Sequence, residues 1–473
     1  MPIATVNPAT GETLETFEAL GADGVEARLA RTAAAFAAYR TTGFAERAEL
    51  LRAAAGLLEA ERDATARTMT LEMGKPLAQA VAEVDKCVKA MRWFAERGAA
   101  LLADERIDPA DIADAGAEAA VVRYRPLGPV LAVMPWNFPL WQVIRFAAPA
   151  LMAGNTALLK HASNVPRTAL LLERVFTRAG YPQGCFQTLL VASGAVEGVI
   201  RDPRVAAVTL TGSEAAGRSV AAIAADEVKK SVLELGGSDP FLVLASADVA
   251  RAAEVAVTAR VQNNGQSCIA AKRFIVHEDV HDAFAAVFVR GMAALAVGDP
   301  LEPGTQVGPL STESGRSDLE ELVDDALAKG ARAQCGGRRP AGRDAGWFYE
   351  PTVLTGITPE MRIHREECFG PVATLYRVGS VEEAVALAND TPFGLSSSAW
   401  TRDRAEQLVL ERDLEAGGVF FNGMTASHPA LPFGGVKRSG FGRELSGHGI
   451  REFCNVTTLW YGRGSGLDPD AEG

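Results

Sequence analysis

The sequence predicts an α/β protein whose sheets are parallel and doubly wound. Three observations lead to this prediction: the length of the chain, its composition, and a change of pattern at Gly128. The 473 residues suggest two or three domains. Apolar residues make up 48% and charged residues 22%, which is the balance of a folded protein with a large core. From Gly128 onwards short apolar runs alternate with helical segments, as is typical of a parallel sheet covered by helices.

The elements can be placed in order along the chain. Residues 22–97 predict helices, because Ala, Leu, Glu and Arg dominate and apolar residues recur at spacings of three and four. The strands of a first alternating unit are expected at residues 130–134, 157–160, 186–190, 207–210 and 231–234, with helices at 141–152, at about 169–178 and through Ile223. A second unit is expected to contain a strand at 241–244, a helix at 250–261 and a strand at 274–276, and to extend to about Phe421.

The boundary between the two units is expected near Gly236, directly after the last strand of the first unit. Residues 112–125 and the segment from about Asn455 fit neither unit, and their Val, Thr, Tyr and Trp content predicts a small pair of exposed strands. Residues 462–473 are rich in Gly, Asp and Pro and are expected to be disordered. The expected domains are residues 1–111 with 126–235, residues 236–440, and a small element and tail made of 112–125 with 441–473.

Charge and cysteine usage exclude several classes of protein. The net charge of -12 argues against nucleic acid or an anionic membrane as a partner. The six cysteines are scattered without a Cys-x-x-Cys pair, so neither a disulfide scaffold nor a zinc site is expected. Only His277 and His281 are four residues apart, with no third ligand evident, and no metal site is predicted. We see no secretory signal and no run of the ~18 to 20 apolar residues that a membrane span needs, so a cytoplasmic location is expected.

Two segments carry a group that could act as a nucleophile or a base. Cys268 follows a predicted helix in the polar loop Asn264-Gly-Gln-Ser-Cys268, where backbone dipoles can favour the thiolate. Taken alone, this segment fits a partly buried structural cysteine more often than a nucleophile. Glu234 stands at a strand end before two glycines, where it could be a general base or a solvated charge at a domain junction.

Two further segments could bind an oxyanion or a phosphate. Asn137 lies between two prolines and two aromatic residues, where it could donate its side-chain N–H to an oxyanion or simply form a tight turn. Gly212 and Ser213 form a turn between a strand and a helix. Such a turn suits a pyrophosphate, but it is also an ordinary turn with Ser as the helix N-cap. No Gly-x-Gly-x-x-Gly fingerprint occurs in this context.

Taken together, these segments resemble the aldehyde dehydrogenase family. Six of them match in order and spacing across nearly the whole chain: Pro135-Trp-Asn-Phe-Pro139, Thr211-Gly-Ser213, Glu234-Leu-Gly-Gly237, Gly265-Gln-Ser-Cys268, Glu367-Cys-Phe-Gly-Pro371 and Pro432-Phe-Gly-Gly-Val-Lys-Arg-Ser-Gly440. The resemblance implies a Rossmann-variant cofactor domain without the glycine fingerprint, an α/β catalytic domain and a small β element for oligomerisation. It also implies a homodimer or homotetramer built through residues 112–125 and about 455–461.

The resemblance implies catalytic roles for three residues. Cys268 would attack the aldehyde as a thiolate, while Asn137 Nδ2 and the Cys268 backbone N–H would stabilise the oxyanion. After hydride transfer to the nicotinamide, Glu234 would activate a water that hydrolyses the thioester. The presence of Glu234 favours release of a carboxylic acid over transfer to coenzyme A.

The resemblance also implies a set of cofactor contacts. Ser213 would meet the pyrophosphate, Glu367 the nicotinamide ribose, and Lys160 the adenosine ribose. The family commonly carries Lys-Pro-Ala-Glu where this chain has Lys160-His-Ala-Ser163. Because Ser163 replaces a carboxylate that would repel a 2′-phosphate, NADP is expected to be preferred, with NAD also possible. The full set of expected contacts is Trp136, Lys160, Ser163, Gly212, Ser213, Glu367 and Phe369.

The substrate expected from the resemblance is a semialdehyde. Arg145 matches the arginine with which succinate-semialdehyde dehydrogenases bind the distal carboxylate, and Trp141 also matches their pattern. Some relatives carry a second arginine six residues before the nucleophile, where this chain has Gln262. Two alternatives remain: a dehydrogenase of uncharged aldehydes, and a non-catalytic binding protein on the same fold.

Overall fold

A computed structural model describes residues 3–462 of the chain. The tail expected to be disordered lies outside these residues except for Gly462. Within them the α-helices are α1 (Ala22–Tyr39), α2 (Phe44–Ala60), α3 (Arg62–Met73), α4 (Leu77–Leu101), α5 (Trp141–Ala153), α6 (Pro166–Arg178), α7 (Val196–Arg201), α8 (Glu214–Asp226), α9 (Val249–Val261), α10 (Glu278–Ala293), α11 (Glu313–Ala328), α12 (Arg362–Arg365), α13 (Val381–Asn389), α14 (Arg404–Asp413) and α15 (Ser446–Arg451).

The strands belong to two large sheets and three small ones. In chain order they are β1 (Ile3–Val6), β2 (Thr13–Phe17), β3 (Glu105–Arg106), β4 (Ala117–Pro126), β5 (Pro129–Met134), β6 (Thr156–His161), β7 (Phe186–Thr188), β8 (Ala207–Thr211), β9 (Lys230–Glu234), β10 (Pro240–Val243), β11 (Arg273–His277), β12 (Arg332–Cys335), β13 (Thr352–Thr355), β14 (Val372–Val378), β15 (Phe393–Gly394), β16 (Ser397–Trp400), β17 (Val419–Phe421), β18 (Val436–Lys437), β19 (Gly440–Phe441) and β20 (Cys454–Gly462).

The first large sheet has the order β19-β9-β8-β5-β6-β7. All neighbours are parallel except the short β19, which runs antiparallel to β9. Its central strands are continuous apolar runs because both faces are covered, and every residue of α5 is buried against the sheet and the N-terminal helices. The predicted doubly wound arrangement is confirmed, and the predicted strands of this unit lie within two residues of their expected ends.

The second large sheet has the order β12-β13-β14-β11-β10-β16-β17. It is parallel apart from β12, which pairs antiparallel with β13. Its core is separate from that of the first sheet and contains aromatic rings of β10, β11 and α10 that contact one another at tilted angles. The chain passes from the first sheet to the second after β9 and returns to the first with the short β19.

A third, small sheet of order β20-β4-β3 is built from the two segments that fit neither unit. The predicted pairing is confirmed, since β4 and β20 run antiparallel along almost their whole length. The strand of the first segment begins at Ala117 and includes the Val and Tyr residues on which the prediction rests. Residues Pro109–Ala115 form a 3-10 helix, because Pro109 suits its first turn and Asp108 accepts a hydrogen bond from the Ala110 N–H.

Two further points concern the fold as a whole. The N-terminal hairpin of β1 and β2 lacks a counterpart in the sequence predictions, since its strands are only four and five residues long. Among the helices within residues 3–462, none combines the length and the apolar character that a bilayer crossing requires.

Candidate active site

The candidate site lies where the strand order of the first sheet reverses. Strands β6 and β7 are added on one side of β5, and β8 and β9 are added on its other side. The loops after β5 and β8 therefore diverge and leave a crevice at the carboxyl edge of the sheet. A cavity of about 280 Å³ lies between these two loops. Its lining includes seven residues predicted from the sequence: Trp136, Asn137, Gly212, Ser213, Cys268, Glu367 and Phe369.

The loop that carries Cys268 leaves α9 through three successive left-handed residues. Asn263, Asn264 and Gly265 have φ values of 56°, 59° and 73°. Asn tolerates this region better than most residues, and a Cβ at position 265 would lie 2.3 Å from the carbonyl oxygen of Gly370. The sequence Asn-Asn-Gly therefore permits the reversal that brings Cys268 into the cavity wall.

Hydrogen bonds from buried side chains hold this loop in place. Lys272 Nζ donates to the carbonyl oxygens of Ser267 and Cys268, both at 2.8 Å. Asn264 Nδ2 donates to the carbonyl oxygen of Pro309 at 2.9 Å. The thiol is therefore presented by a backbone whose carbonyl groups are already satisfied.

The environment of Cys268 favours the protonated thiol. Burial raises the pKa of Cys268 to about 12, while the positive charges of Arg145 and Lys272 lower it. The negative charges of Glu367 and Asp239 act in the same direction as burial. Because the thiolate is the nucleophilic form, reaction at this sulfur requires a base that accepts its proton.

Asn137 lies directly beside the Cys268 loop. Its Nδ2 donates to the backbone carbonyl oxygen of Gln266 at 3.2 Å, and its backbone carbonyl oxygen accepts a hydrogen bond from Asn263 Nδ2 at 2.8 Å. The two loops are thus joined in both directions. One donor of a buried side-chain amide therefore stands next to the thiol, as an oxyanion site requires.

The loop between β5 and α5 is braced from beneath by His161, the last residue of β6. Its Nδ1 lies 3.2 Å from the Met134 carbonyl oxygen and its Nε2 lies 2.8 Å from the Pro139 carbonyl oxygen. Burial lowers the pKa of His161 to about 4, so the imidazole is neutral at physiological pH. A neutral imidazole carries one N–H, and Nδ1 accepts a hydrogen bond from the Ala162 N–H at 3.0 Å, so Nε2 is the donor and the ring holds the Pro139 end of the loop that contains Asn137.

A buried ion pair supports the same loop from α4. Lys75 Nζ pairs with Glu83 and lies 4.3 Å from the centroid of the Phe138 ring. Glu83 Oε1 also accepts hydrogen bonds from the backbone N–H groups of Leu140 and Trp141, at 2.9 and 2.8 Å. A carboxylate at the start of α5 satisfies donors that a helix leaves unpaired. The position of Phe138 is thus fixed by residues about 60 positions away.

Glu234 ends β9 at the same edge of the sheet. Its carbonyl oxygen accepts a hydrogen bond from the Gly212 N–H at 3.0 Å, which ties it to the loop after β8. The residue is 2% exposed, and within residues 3–462 neither carboxyl oxygen has a hydrogen-bond partner. Burial raises the pKa of Glu234 well above its usual range; the charge of Arg145 opposes this shift and that of Glu444 reinforces it. A buried carboxyl of this kind has the properties of a general base.

The structure gives Arg145 surroundings different from those the sequence predicts. The sequence predicts an arginine that faces the substrate, but Arg145 is 1% exposed and forms an ion pair with Glu444. Its Nη2 donates to Thr211 Oγ1 at 3.2 Å, and its guanidinium carbon lies 4.5 Å from the centroid of the Phe433 ring. Binding of a substrate carboxylate by Arg145 therefore stays a prediction, because the guanidinium would first have to leave Glu444.

The cofactor side of the cavity begins at the N-terminus of α8. Ser213 caps this 13-residue helix by accepting a hydrogen bond from the Ala216 N–H at 3.3 Å. The free backbone N–H groups and the dipole of such an N-terminus favour an anionic group. The turn that the sequence predicts for a pyrophosphate therefore faces the cavity.

The opposite wall of the cavity contains Glu367 and two aromatic rings. Glu367 Oε1 accepts a hydrogen bond from the Gly237 N–H at 3.1 Å and lies 3.4 Å from Lys272 Nζ. The rings of Trp136 and Phe369 meet edge to face with centroids 5.7 Å apart. A fixed carboxylate beside apolar ring surface suits the hydroxyl groups and ring of a nucleoside.

Lys160 and Ser163 lie at the end of β6, outside this cavity. Lys160 is buried, burial lowers its pKa, and within residues 3–462 no carboxylate lies within 4 Å of its Nζ. Ser163 is half-buried and its carbonyl oxygen accepts a hydrogen bond from the Ala4 N–H at 3.0 Å. A buried cation without a counter-charge fits a phosphate group of a cofactor.

Sequence reasoning did not identify several residues that shape the site. His161 replaces the usual proline in a segment that visibly departs from the family pattern, but nothing in the sequence indicates its hydrogen bond to the Pro139 carbonyl oxygen. Lys75 and Glu83 act on a loop that lies much further along the chain, Glu444 pairs with an arginine much earlier in it, and no spacing signal marks these three residues. Trp141, a predicted substrate contact, is buried, and its Nε1 donates to Ser427 Oγ at 3.1 Å.

Comparisons with known proteins agree with this geometry. Residues 1–459 match the model of the aldehyde dehydrogenase family. A succinate-semialdehyde dehydrogenase (NADP(+)) 1 from Mycobacterium ulcerans is 63% identical over 463 residues, covering 98% of this chain and 100% of that relative. A crystal structure of succinic semialdehyde dehydrogenase from Streptococcus pyogenes in complex with NADP+ has a TM-score of 0.93 and 35% identity, covering 97% of this chain and 100% of that one.

The fold itself is shared with relatives that differ in their named cofactor. A crystal structure of an NAD-dependent aldehyde dehydrogenase from Sinorhizobium meliloti has a TM-score of 0.94 and 34% identity, covering 98% of this chain and 92% of that one. Similarity of fold therefore does not decide between the two dinucleotides. The family match over nearly the whole chain, together with the cavity that gathers its motifs, shows that this chain belongs to the aldehyde dehydrogenase family.

Proposed function

We propose that the protein oxidises succinate semialdehyde to succinate with NADP+ as the hydride acceptor. The observation that carries the proposal is the cavity at the switch point of the first sheet, where Cys268, Asn137 and the cofactor-side residues meet. The relatives described above, whose names specify this aldehyde and this cofactor, support the proposal. Oxidation of uncharged aldehydes is the alternative, and it differs only in what binds the far end of the substrate.

The chemistry is assigned to three residues. Cys268 loses its proton to a base, and its sulfur attacks the aldehyde carbon to form a thiohemiacetal. Asn137 Nδ2 and the Cys268 backbone N–H donate to the resulting oxyanion. Loss of hydride from this carbon leaves a thioester on Cys268. Glu234 then takes a proton from a water that attacks the thioester, the carbon–sulfur bond breaks, and the acid is released.

The cofactor assignment rests on fixed groups of this chain. When bound, the nicotinamide supplies the acceptor for the hydride. Ser213 and the N-terminus of α8 would hold the pyrophosphate, and Glu367 would bind the nicotinamide ribose beside Trp136 and Phe369. Lys160, a buried cation without a carboxylate partner in the described chain, supports the choice of NADP, because a 2′-phosphate would supply the missing negative charge.

Arg145 is proposed as a positioning residue rather than as the first contact of the substrate. Its ion pair with Glu444 and its hydrogen bond to Thr211 place positive charge next to Glu234 and Cys268. This charge favours the ionised form of both reacting groups. Its predicted contact with a substrate carboxylate would require that the ion pair open.

We further propose the domain division stated above, a cytoplasmic location, and a homodimer or homotetramer built through the sheet β20-β4-β3. Support for the assembly comes from apolar residues on this sheet, where Val456 is 60% exposed and Trp460 is 49% exposed. Exposed residues of this kind are typical of contact surfaces. A molar mass in solution equal to that of one chain, measured by light scattering, would contradict the assembly.

The direct test of the catalytic assignment is Cys268→Ala. The variant is expected to lose reduction of NADP+ in the presence of succinate semialdehyde, because no sulfur remains to form the thiohemiacetal. Cys335→Ala is the matched control, since Cys335 is also partly exposed but lies on β12, away from the cavity. A Cys268→Ala enzyme that reduces NADP+ as fast as the control would remove Cys268 from the mechanism.

A further inference from the structure

One buried lysine, Lys272, lies between the loop of the thiol and the carboxylate that would bind the nicotinamide ribose. It stands directly before β11, and its side chain is 2% exposed. A buried ammonium group is costly unless hydrogen bonds and a counter-charge compensate for its lost hydration. The partners that compensate Lys272 therefore indicate what its charge does in this fold.

Two of these partners belong to the main chain that carries the thiol. Lys272 Nζ donates to the carbonyl oxygens of Ser267 and Cys268, both at 2.8 Å. The backbone of Lys272 is itself anchored, because its carbonyl oxygen accepts hydrogen bonds from the N–H and the O–H of Thr374 at 2.9 and 3.1 Å. These contacts connect the peptide of Cys268 to β14 of the second sheet.

The third partner belongs to the cofactor side of the cavity. Glu367 Oε1 lies 3.4 Å from Lys272 Nζ and also accepts a hydrogen bond from the Gly237 N–H at 3.1 Å. Gly237 contacts the thiol loop as well, since a Cβ at this position would lie 2.6 Å from the Cys268 carbonyl oxygen. An ammonium group has three N–H bonds, so the three partners of Lys272 match its donors in number.

The charge of Lys272 acts on both groups that it joins. Burial raises the pKa of Cys268, and the positive charges of Arg145 and Lys272 oppose this shift. Burial likewise lowers the pKa of Lys272, and the charge of Glu367 is the largest opposing influence. The ammonium group therefore favours the thiolate, while the carboxylate keeps the ammonium group charged.

We propose that Lys272 is a positioning residue that joins the nicotinamide half of the cofactor site to the nucleophile. A single ammonium group holds Glu367 where this carboxylate would bind the ribose, and it fixes the main chain of Cys268. The proposal rests on the proposed function for the role of Glu367, but not for the identity of the aldehyde. Because the nicotinamide ribose is common to NADP+ and NAD+, it does not depend on which dinucleotide is preferred.

Binding of two ligands without aldehyde tests the connection to the cofactor. Lys272→Gln removes the charge and keeps N–H donors for the two carbonyl oxygens; Lys272→Met, which keeps the length of the side chain, is measured beside it, and either folded variant suffices. The Kd for NADP+, measured by calorimetry, is expected to rise about 10- to 100-fold, the range for losing a charge-assisted hydrogen bond. The Kd for adenosine 2′,5′-bisphosphate, which lacks the nicotinamide half, is expected to stay at the wild-type value.

Alkylation of the protein without cofactor tests the connection to the thiol. The reaction of Cys268 with iodoacetamide at a fixed pH is followed by mass spectrometry, with the partly exposed Cys335 as the internal reference. Loss of the ammonium charge is expected to lower the thiolate fraction and to slow Cys268 about 10-fold, while Cys335 keeps its rate. A variant whose fold was only loosened would instead expose the buried Cys87 and Cys185, and these thiols would react.

The matched control is Lys329→Gln. Lys329 also combines a carboxylate with a backbone carbonyl oxygen, Asp325 at 2.7 Å and Glu360 at 2.8 Å, but it is exposed directly after α11 and does not line the cavity. This variant is expected to equal the wild type in both measurements.

Three results would overturn the proposal. If the Lys272 variants bind NADP+ as tightly as the control, or if their Cys268 reacts as fast, the proposal is wrong while the proposed function stands. If the Kd values of both ligands rise equally, Lys272 only supports the fold. If the wild type binds neither NADP+ nor NAD+, the proposed function is wrong and this proposal with it.

Discussion

At the scale of single residues, reactivity depends on charges that are buried together. Glu234, Arg145 and Glu444 occupy one buried region, and the first two flank the strand ends at which the cavity opens. The arginine favours ionisation of Glu234 and Cys268, while Glu444 both anchors the arginine and opposes ionisation of Glu234. The balance between these charges therefore sets the pH at which Glu234 can act as a base.

Glu444→Gln tests this balance. The pKa of Glu234 is raised by the charge of Glu444 and lowered by that of Arg145, so removing the first and leaving the second uncompensated lowers it. Because Glu234 must be ionised to accept a proton, kcat should rise with pH through this pKa, and the midpoint of the rise should move to lower pH in the variant. The measurement is the kcat–pH profile beside that of Glu411→Gln, an exposed change on α14. A midpoint that moves to higher pH would contradict the assignment.

Some of these residues could be identified from the sequence and others could not. Cys268, Asn137 and Glu234 could be identified because each stands in a short segment with its own composition. Glu444 could not be identified, because it follows an ordinary glycine-rich stretch. Its role depends on an ion pair with an arginine 299 positions earlier, and this contact exists only in the folded chain. The same holds for the burial of Arg145 and its ion pair, which the sequence does not indicate.

At the scale of elements, the site depends on loops braced by neighbouring elements. The loop after β5 is held by Nε2 of His161 from β6 and by Glu83 of α4, which is paired with Lys75. The strand ends were predictable, since apolar runs followed by polar turns mark the carboxyl edge of a parallel sheet. The contacts that support this loop were not predictable, because they connect elements that only the packed fold brings together.

Glu83→Gln tests the contribution of the buried pair. The substitution keeps an oxygen for the backbone N–H groups of α5 but leaves Lys75 buried without its counter-charge. The free energy of unfolding is expected to fall by about 3–5 kcal/mol, measured by urea denaturation. Asp85→Asn on the same helix is the control, because its pair with Arg62 is exposed and long at 3.7 Å, and it should change stability by less than about 1 kcal/mol. Equal stability of the two variants would show that the pair does not hold this loop.

At the scale of the whole molecule, the sequence predicted the architecture well because the strand–helix alternation is long and regular. The N-terminal hairpin could not be identified from the sequence, since strands of four and five residues are too short to show a periodic pattern. The arrangement of the two large sheets explains the site. The first sheet supplies the crevice and the oxyanion donor, and the second begins just beyond the glycines that follow Glu234 and carries the loop of the thiol between α9 and β11.

NADP-dependent oxidation of succinate semialdehyde can be checked by measuring kcat/KM for two aldehydes with two cofactors. Purified wild-type protein is assayed for cofactor reduction with succinate semialdehyde and with butanal, each with NADP+ and with NAD+. We predict the highest kcat/KM for succinate semialdehyde with NADP+, since within residues 3–462 no carboxylate pairs with the buried Lys160. A kcat/KM with NAD+ equal to or above that with NADP+, or a kcat/KM for butanal equal to that for succinate semialdehyde, would contradict it.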